Sequence, residues 1–297
     1  MRQLKVGEHQ RCDELVSGKF RIAVTTEVGP RVIGGWVGNS PNLFCVTPVK
    51  PIPGINTGFL LYGGHRLWHA PEVKPRTYAP DNVTVDVTAV AGGARRYTTY
   101  EPMNGLEKQL EIKPLGRERF TVTHRLVNRN QWAIELAPWA LSVMAPGGVG
   151  VIPLQHNPKD NPYQADRQLN FWPYSNLDDP RLTVSEDYVI IRQDPKAKGP
   201  FKVGCKCPAG WIAYVNKGVA LVKTMKYKAG ATYPDYGCNM ESYTCAAFLE
   251  IETLGPLAQL KPGQAAVHVE TWQGLRGVGP VNTPERVRAN LRRRVRA

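Results

Sequence analysis

Within eight residues the chain sets two histidines, an arginine, a tryptophan and a glutamate, in the stretch Gly63-Gly64-His65-Arg66-Leu67-Trp68-His69-Ala70-Pro71-Glu72. In an extended segment His65, Leu67 and His69 share one face, while Arg66, Trp68 and Ala70 share the other. An Arg–Trp pair on a concave face is what a sugar site needs: the indole packs on the apolar face of a pyranose, and the guanidinium donates to hydroxyls or to a carboxylate. A histidine beside them titrates near neutral pH and can act as general acid. The plainer alternative makes Trp68 core and the histidines loop caps. So many polar side chains beside two glycines, which let the backbone turn tightly, favour function.

Three further stretches carry acids and aromatics. In FLEIETLGPL (248–257) Leu249 and Ile251 face one side of a strand and Glu250 and Glu252 the other, the two carboxylates about 7 Å apart. Carboxylates are costly when buried unpaired, so this pair meets water, a cation or a polar ligand. As a solvated strand face it means nothing; as the floor of a cleft it offers a general base. YPDYGCNMESY (233–243) holds Asp235 and Glu241, and the loop NFWPY (170–174) holds Trp172, followed by Asp178-Asp179-Pro180-Arg181. Each alone reads as ordinary loop chemistry. No metal-ligand spacing, P-loop, G-x-G-x-x-G or G-x-S-x-G occurs, so neither a metal nor a nucleotide cofactor is expected.

The elements that must position these residues are strands. Of 297 residues 28 are Gly and 25 Pro, which argues against a helical bundle, since proline costs about 3 kcal/mol inside a helix. Alternating or β-branched segments recur at 20–25, 83–90, 120–126, 188–192, 211–215, 219–224, 248–253 and 265–272, separated by Gly/Pro/Asn/Asp clusters. Asn216-Lys217-Gly218 reads as a short hairpin loop. An all-β sandwich is predicted, one domain over residues 1–283, with 284–297 a basic tail or short helix. Residues 48–57 and 155–181 read as linkers, the second long enough to be a functional loop over a binding face.

Charge and compartment narrow the function. The chain carries 38 Lys+Arg against 25 Asp+Glu, formally +13, which raises a nucleic-acid hypothesis. The last fourteen residues, PERVRANLRRRVRA, hold six of the arginines and one glutamate, so +8 remains elsewhere. No aromatic interleaves those arginines for base stacking, and nucleic acid ranks last among partners. The remaining basic surplus points to an anionic sugar, phosphorylated or uronic, as a ligand class. Six cysteines at this length are too few for a disulfide scaffold and read as buried reduced thiols. The N-terminal twenty residues lack a signal peptide's apolar core, so a cytoplasmic location is expected. The longest run without charge, residues 136–158, is broken by Pro146-Gly147-Gly148 and reads as two buried strands rather than a membrane span.

The blocks GGHRLWHAPE (63–72), YAPDN (78–82, with Asp81 and Asn82), ELAPWALSVMAPGG (135–148, with Trp139), YPDYGCNMESY (233–243) and LEIETLGPLAQLKPGQ (249–264) resemble an uncharacterised bacterial branch of the galactose mutarotase-like superfamily, over about residues 15–275. The resemblance implies an antiparallel β-supersandwich that binds sugars on a concave face. It also implies aldose 1-epimerase-like chemistry: a Glu base takes the anomeric hydroxyl proton while a His acid protonates the ring oxygen. Carried onto this chain, Glu252 matches the base, ten residues before Pro262-Gly263, and Arg66 matches a sugar-contacting arginine. The element that bears the acid histidine corresponds to residues 137–141, which contain Trp139 and no histidine. His69 or His65 is then the candidate acid. Arg66, Trp68, Glu72, Asp81, Asn82, Trp139, Trp172, Asp235, Glu241 and Glu250 are the candidate sugar contacts. Ring opening needs only proton transfer, so no cofactor is implied. A carbohydrate-binding protein without catalysis is the alternative.

Overall fold

Strand alternation builds the molecule, and a computed structural model describes it over residues 2–155 and 163–296. Among these residues two antiparallel sheets form, one of twelve strands and one of ten. Leu249 and Ile251 are buried against Trp272 and Phe201 in the main apolar core between the sheets. Phe20 and Phe120 meet edge to face in that core with ring centroids 5.3 Å apart. This is the all-β sandwich that the sequence predicts. The predicted strands appear at Phe20–Thr25, Tyr188–Arg192, Trp211–Asn216, Val219–Met225, Leu249–Leu254 and Ala265–Arg276.

Five strands of the larger sheet lie side by side in the order Leu60–Ala70, Ile134–Met144, Leu249–Leu254, Met240–Thr244 and Phe201–Cys205. Their register aligns Arg66, Leu141, Glu252 and Glu241 in one row across the sheet. Trp68, Trp139 and Leu254 form the next row. A third row runs from Val143 through Glu250 and Tyr243 to Lys202. Directly paired residues share a face, so all these side chains point to the same side of the sheet, away from the ten-stranded partner.

Several local readings change. Gly63 and Gly64 sit inside a strand and not in a turn, both in the left-handed region at φ 80° and 68°. A Cβ at Gly64 would stand 2.4 Å from the Val32 carbonyl oxygen, so glycine allows the neighbouring strand its close approach. The first four residues of the expected linker, 48–51, belong to a short strand, Val46–Pro51. The uncharged run becomes the strands Ile134–Met144 and Val149–Pro153, joined through Pro146-Gly147-Gly148. No helix among the described residues is long and apolar enough to cross a membrane. Lys217 and Gly218 both take positive φ, 46° and 77°, as a two-residue hairpin turn requires. All six cysteines are free, and Cys12, Cys205, Cys207 and Cys238 are buried.

The basic tail is structured. Thr283 caps a helix over Pro284–Asn290, accepting from the Arg286 amide. Val287 and Leu291 are fully buried with Trp211, Val278 and Val281. The arginines of this segment are therefore splayed around a docked apolar pair.

Candidate functional site

Because the strand alternates, Arg66 and Trp68 emerge together on the outer face of the large sheet. The Arg66 guanidinium lies 4.2 Å from the Trp68 ring centroid and bonds Glu250 Oε1 at 3.1 Å. Trp68 meets Trp139 edge to face at 5.5 Å and Tyr78 at 5.0 Å. Arg66 Nε and Nη1 are buried without a hydrogen-bond partner in the protein. These groups form one wall of a cavity of about 570 Å³, a volume suited to a small ligand. Trp172, Tyr174, Tyr243 and Phe248 form the facing wall, with Glu72 at the rim.

The floor is built around Lys202. Its ammonium lies 2.7 Å from Glu241 Oε2 and 3.0 Å from Glu252 Oε2. It also sits 4.6 Å from the Trp139 ring centroid and 4.4 Å from that of Trp172. Trp139 Nε1 donates to the same Glu252 oxygen at 2.8 Å. Trp172 reaches this position by packing over Gly204, where a Cβ would come within 3.3 Å of the indole and 2.7 Å of Cys238 Sγ.

Charge and burial compete on this floor. Burial alone would lower the Lys202 ammonium, but Glu241 and Glu252 outweigh it and hold its pKa well above the ordinary lysine range. Burial raises Glu241 well above the carboxylate range against the pull of Lys202, with Glu252 and Asp235 adding to the rise. Glu250 is likewise raised by burial, against Arg66. Asp235, on a turn where it and Tyr236 both take positive φ, is raised by burial too. Five carboxyl groups thus share the site with two cations, and burial draws Glu241 toward its neutral form, so the cleft itself offers no surplus of positive charge to an anionic ligand.

The structure brings together Arg66, Trp68, Glu72, Trp139, Trp172 and Glu250 around the cavity, with Glu252 and Glu241 buried beneath Lys202. It does not bring the predicted histidines there. His65 and His69 lie on the opposite face of their strand, as the period of two demands once Arg66 and Trp68 face the cleft. Neither fits the acid role beside Glu252. His65 is fully buried between the sheets, and His69 lines a separate cavity. Asp81 and Asn82 also lie elsewhere. Asp81 pairs with the buried Arg31 at 2.8 Å, and Asn82 accepts from Tyr62 Oη at 3.0 Å while donating to the Gly58 carbonyl at 2.8 Å. Asp179 pairs with Arg181 at 2.7 Å as a loop pin. In the predicted loop, residues 156–162 lie outside the described residues, while Trp172 and Tyr174 line the cleft.

Sequence reasoning missed Lys202. Its signal was a lone lysine in the apolar strand Phe201-Lys202-Val203-Gly204-Cys205, where burial demands a partner of opposite charge.

One group of metal-capable side chains comes together among the described residues: His65, His124 and Glu270, with ligand atoms within 4.8 Å of one another. Protons already link them. His124 Nδ1 donates to the His268 carbonyl at 3.1 Å, so its Nε2 accepts from His65 Nε2 at 2.7 Å. His65 Nδ1 then accepts from Ser142 Oγ at 2.8 Å. Glu270 is held by Lys223 at 2.8 Å, Thr253 Oγ1 at 2.5 Å and Trp272 Nε1 at 2.6 Å. Burial holds the His124 imidazole down at about 4, hence neutral. Every lone pair that a cation would need from this trio, apart from weak residual capacity on Glu270, is engaged by a neighbour. The trio belongs to the sandwich interior and not to the cleft.

No protein-family model matches the sequence, and neither does any curated protein. The fold does match solved structures. A galactose mutarotase-like protein from Lactobacillus casei superposes with a TM-score of 0.57 at 8% identity, covering 89% of this chain and 100% of that one. The Slr1438 protein from Synechocystis gives 0.57 at 9% identity, covering 93% and 100%. A galactose mutarotase-like protein from Clostridium acetobutylicum gives 0.52 at 13% identity, covering 93% and 98%. The architecture is therefore the galactose mutarotase-like β-supersandwich. At such identities the likeness establishes the fold, and function rests on the site.

Proposed function

We propose that this chain binds a neutral sugar in the cleft bounded by Arg66, Trp68, Trp139, Trp172 and Glu250. The observation that carries the reading is the convergence of three indoles, one guanidinium and two carboxyl groups on a single cavity of about 570 Å³. Trp172 and the rim tyrosines supply apolar faces for the C–H side of a pyranose. Arg66 Nε and Nη1 supply donors, and Glu250 supplies an acceptor, for its hydroxyls. The lack of surplus positive charge in the cleft favours uncharged sugars over phosphorylated or uronic ones. Calorimetric titration with glucose, galactose, glucose 6-phosphate and glucuronate tests this. Saturable binding of a neutral hexose, weakened in Trp172→Ala, supports it; a preference for the anionic pair, or no binding at all, rejects it.

A second reading adds proton transfer at the anomeric centre, favoured by the 3.0 Å contact between Lys202 Nζ and Glu252 Oε2. The anomeric hydroxyl and the ring oxygen sit on the same carbon, so an adjacent base and acid suit ring opening. Glu252, which lies beneath Lys202, would take the hydroxyl proton once the ligand draws that ammonium off it. Lys202 would donate to the ring oxygen, since no imidazole among the described residues lines the cleft. Exchange of anomers followed by NMR separates the two readings. Rates above the spontaneous one, abolished by Glu252→Gln and Lys202→Met, establish catalysis; rates equal to the spontaneous one leave sugar binding alone.

A further inference from the structure

His69 turns away from the cleft and lines a second cavity of about 340 Å³, formed where the end of its strand meets two turns of the chain. The geometry points to a second, separate saccharide site in this cavity, one that takes a neutral polyhydroxylated ligand. Its base carries two polar atoms that lack a partner. His69 Nε2 and Asn104 Oδ1 are both buried and without a partner in the protein. His69 itself is only 3% exposed. Asn104 is fixed by the Arg76 backbone, to whose carbonyl its Nδ2 donates at 2.8 Å.

Burial, with Lys108 and the Arg76 charge nearby, keeps the His69 imidazole down at about 4, so the ring is uncharged at neutral pH and Nε2 meets a ligand as a neutral polar atom. Trp132, whose side chain is 64% exposed, Met103 and Arg76 line the same cavity. The walls are held in place. Asn130 Nδ2 donates to the Asn104 carbonyl at 2.9 Å, locking one turn to the other. Asn128 Nδ2 donates to the Trp132 carbonyl at 2.8 Å.

The charges around the cavity offset one another: Arg76 and Glu135 line it together, and Lys108 nearby is paired with Glu101, so neither an anion nor a cation is favoured. A sugar suits these groups: its hydroxyls bond His69 Nε2 and Asn104 Oδ1, and the ring's apolar face packs on Trp132.

The test follows the indole N–H resonance of Trp132 in the full chain, assigned by its disappearance in Trp132→Phe. The chain carries Trp172→Ala to weaken the first cleft, and the probes are glucose, galactose, maltose and cellobiose. A saturable shift with at least one probe, weakened tenfold or more by His69→Phe with the fold retained, is the expected result. No shift with any probe, or a shift that His69→Phe leaves unchanged, overturns the second site. Neither outcome depends on whether the first cleft binds sugar.

Discussion

The Lys202 ammonium reaches across the whole Met240–Thr244 strand to meet the Glu252 carboxylate at 3.0 Å. Glu241, on the strand between them, closes the triad at 2.7 Å, and two indoles cover the charge. The contact makes one object of the floor of the cleft, because the buried ammonium and the carboxyl groups beside it offset one another's burial.

Lys202→Met should therefore cost about 3–5 kcal/mol of stability, the range for breaking a buried ion pair by removing one partner. Adding Glu241→Gln and Glu252→Gln to the same chain should return part of that loss, since no buried charge is then left alone. Urea unfolding at pH 7 reads both. A loss below about 1 kcal/mol for Lys202→Met would show that the triad is not closed as described.

Trp172→Ala removes an apolar face of the cleft while leaving the ion triad in place. Its affinity for a neutral hexose should fall about tenfold or more, as for an aromatic anchor of a ligand site. Calorimetry supplies the constant, and circular dichroism checks that the sheet is intact. Undiminished affinity in a folded variant places the sugar elsewhere.

His69 gives a pH signature. Its folded pKa, about 4, lies below the ordinary 6.5, so the unfolded chain binds the proton more readily and acid costs stability between those values. His69→Phe removes this contribution. The stability difference between wild type and variant should shift in the variant's favour by on the order of 3 kcal/mol from pH 7 to pH 4. Denaturant titrations across that range measure it, and a difference that does not move with pH contradicts the buried neutral imidazole.

Between the sheets, Lys223 and Glu270 pair at 2.8 Å with both side chains fully buried. Burial opposes ionisation of Glu270, yet the Lys223 ammonium beside it holds it below the ordinary carboxylate range. Glu270→Leu alone should destabilise by about 3–5 kcal/mol, whereas Lys223→Met with Glu270→Leu should lose less than the sum of the two single changes. A double-mutant cycle in urea gives the coupling; strictly additive losses count against a direct pair.

Much of the fold was legible because the strand alternation is local. The Leu249–Leu254 strand announces Leu249 and Ile251 as interior and Glu250 and Glu252 as the other face, and the structure keeps that division. The same alternation placed Arg66 and Trp68 opposite His65 and His69, so a shared cleft for all four was never geometrically available. What the sequence hid was registration between distant strands. Nothing local to Lys202 states that two strands bring Glu241 and Glu252 to its ammonium, nor that Gly204 clears room for Trp172 above it. Net charge is a related case: a sum over the chain does not see that Glu241, Glu250 and Glu252 gather around Lys202 and Arg66.

The most direct test is a crystal of the full chain soaked in a neutral hexose at pH 7. The account predicts a pyranose ring in the cleft, its apolar face against Trp172 and its hydroxyls within hydrogen-bond distance of Arg66 and Glu250. A well-ordered cleft that stays empty at saturating sugar, while Trp172 and Arg66 hold the positions described, would contradict it.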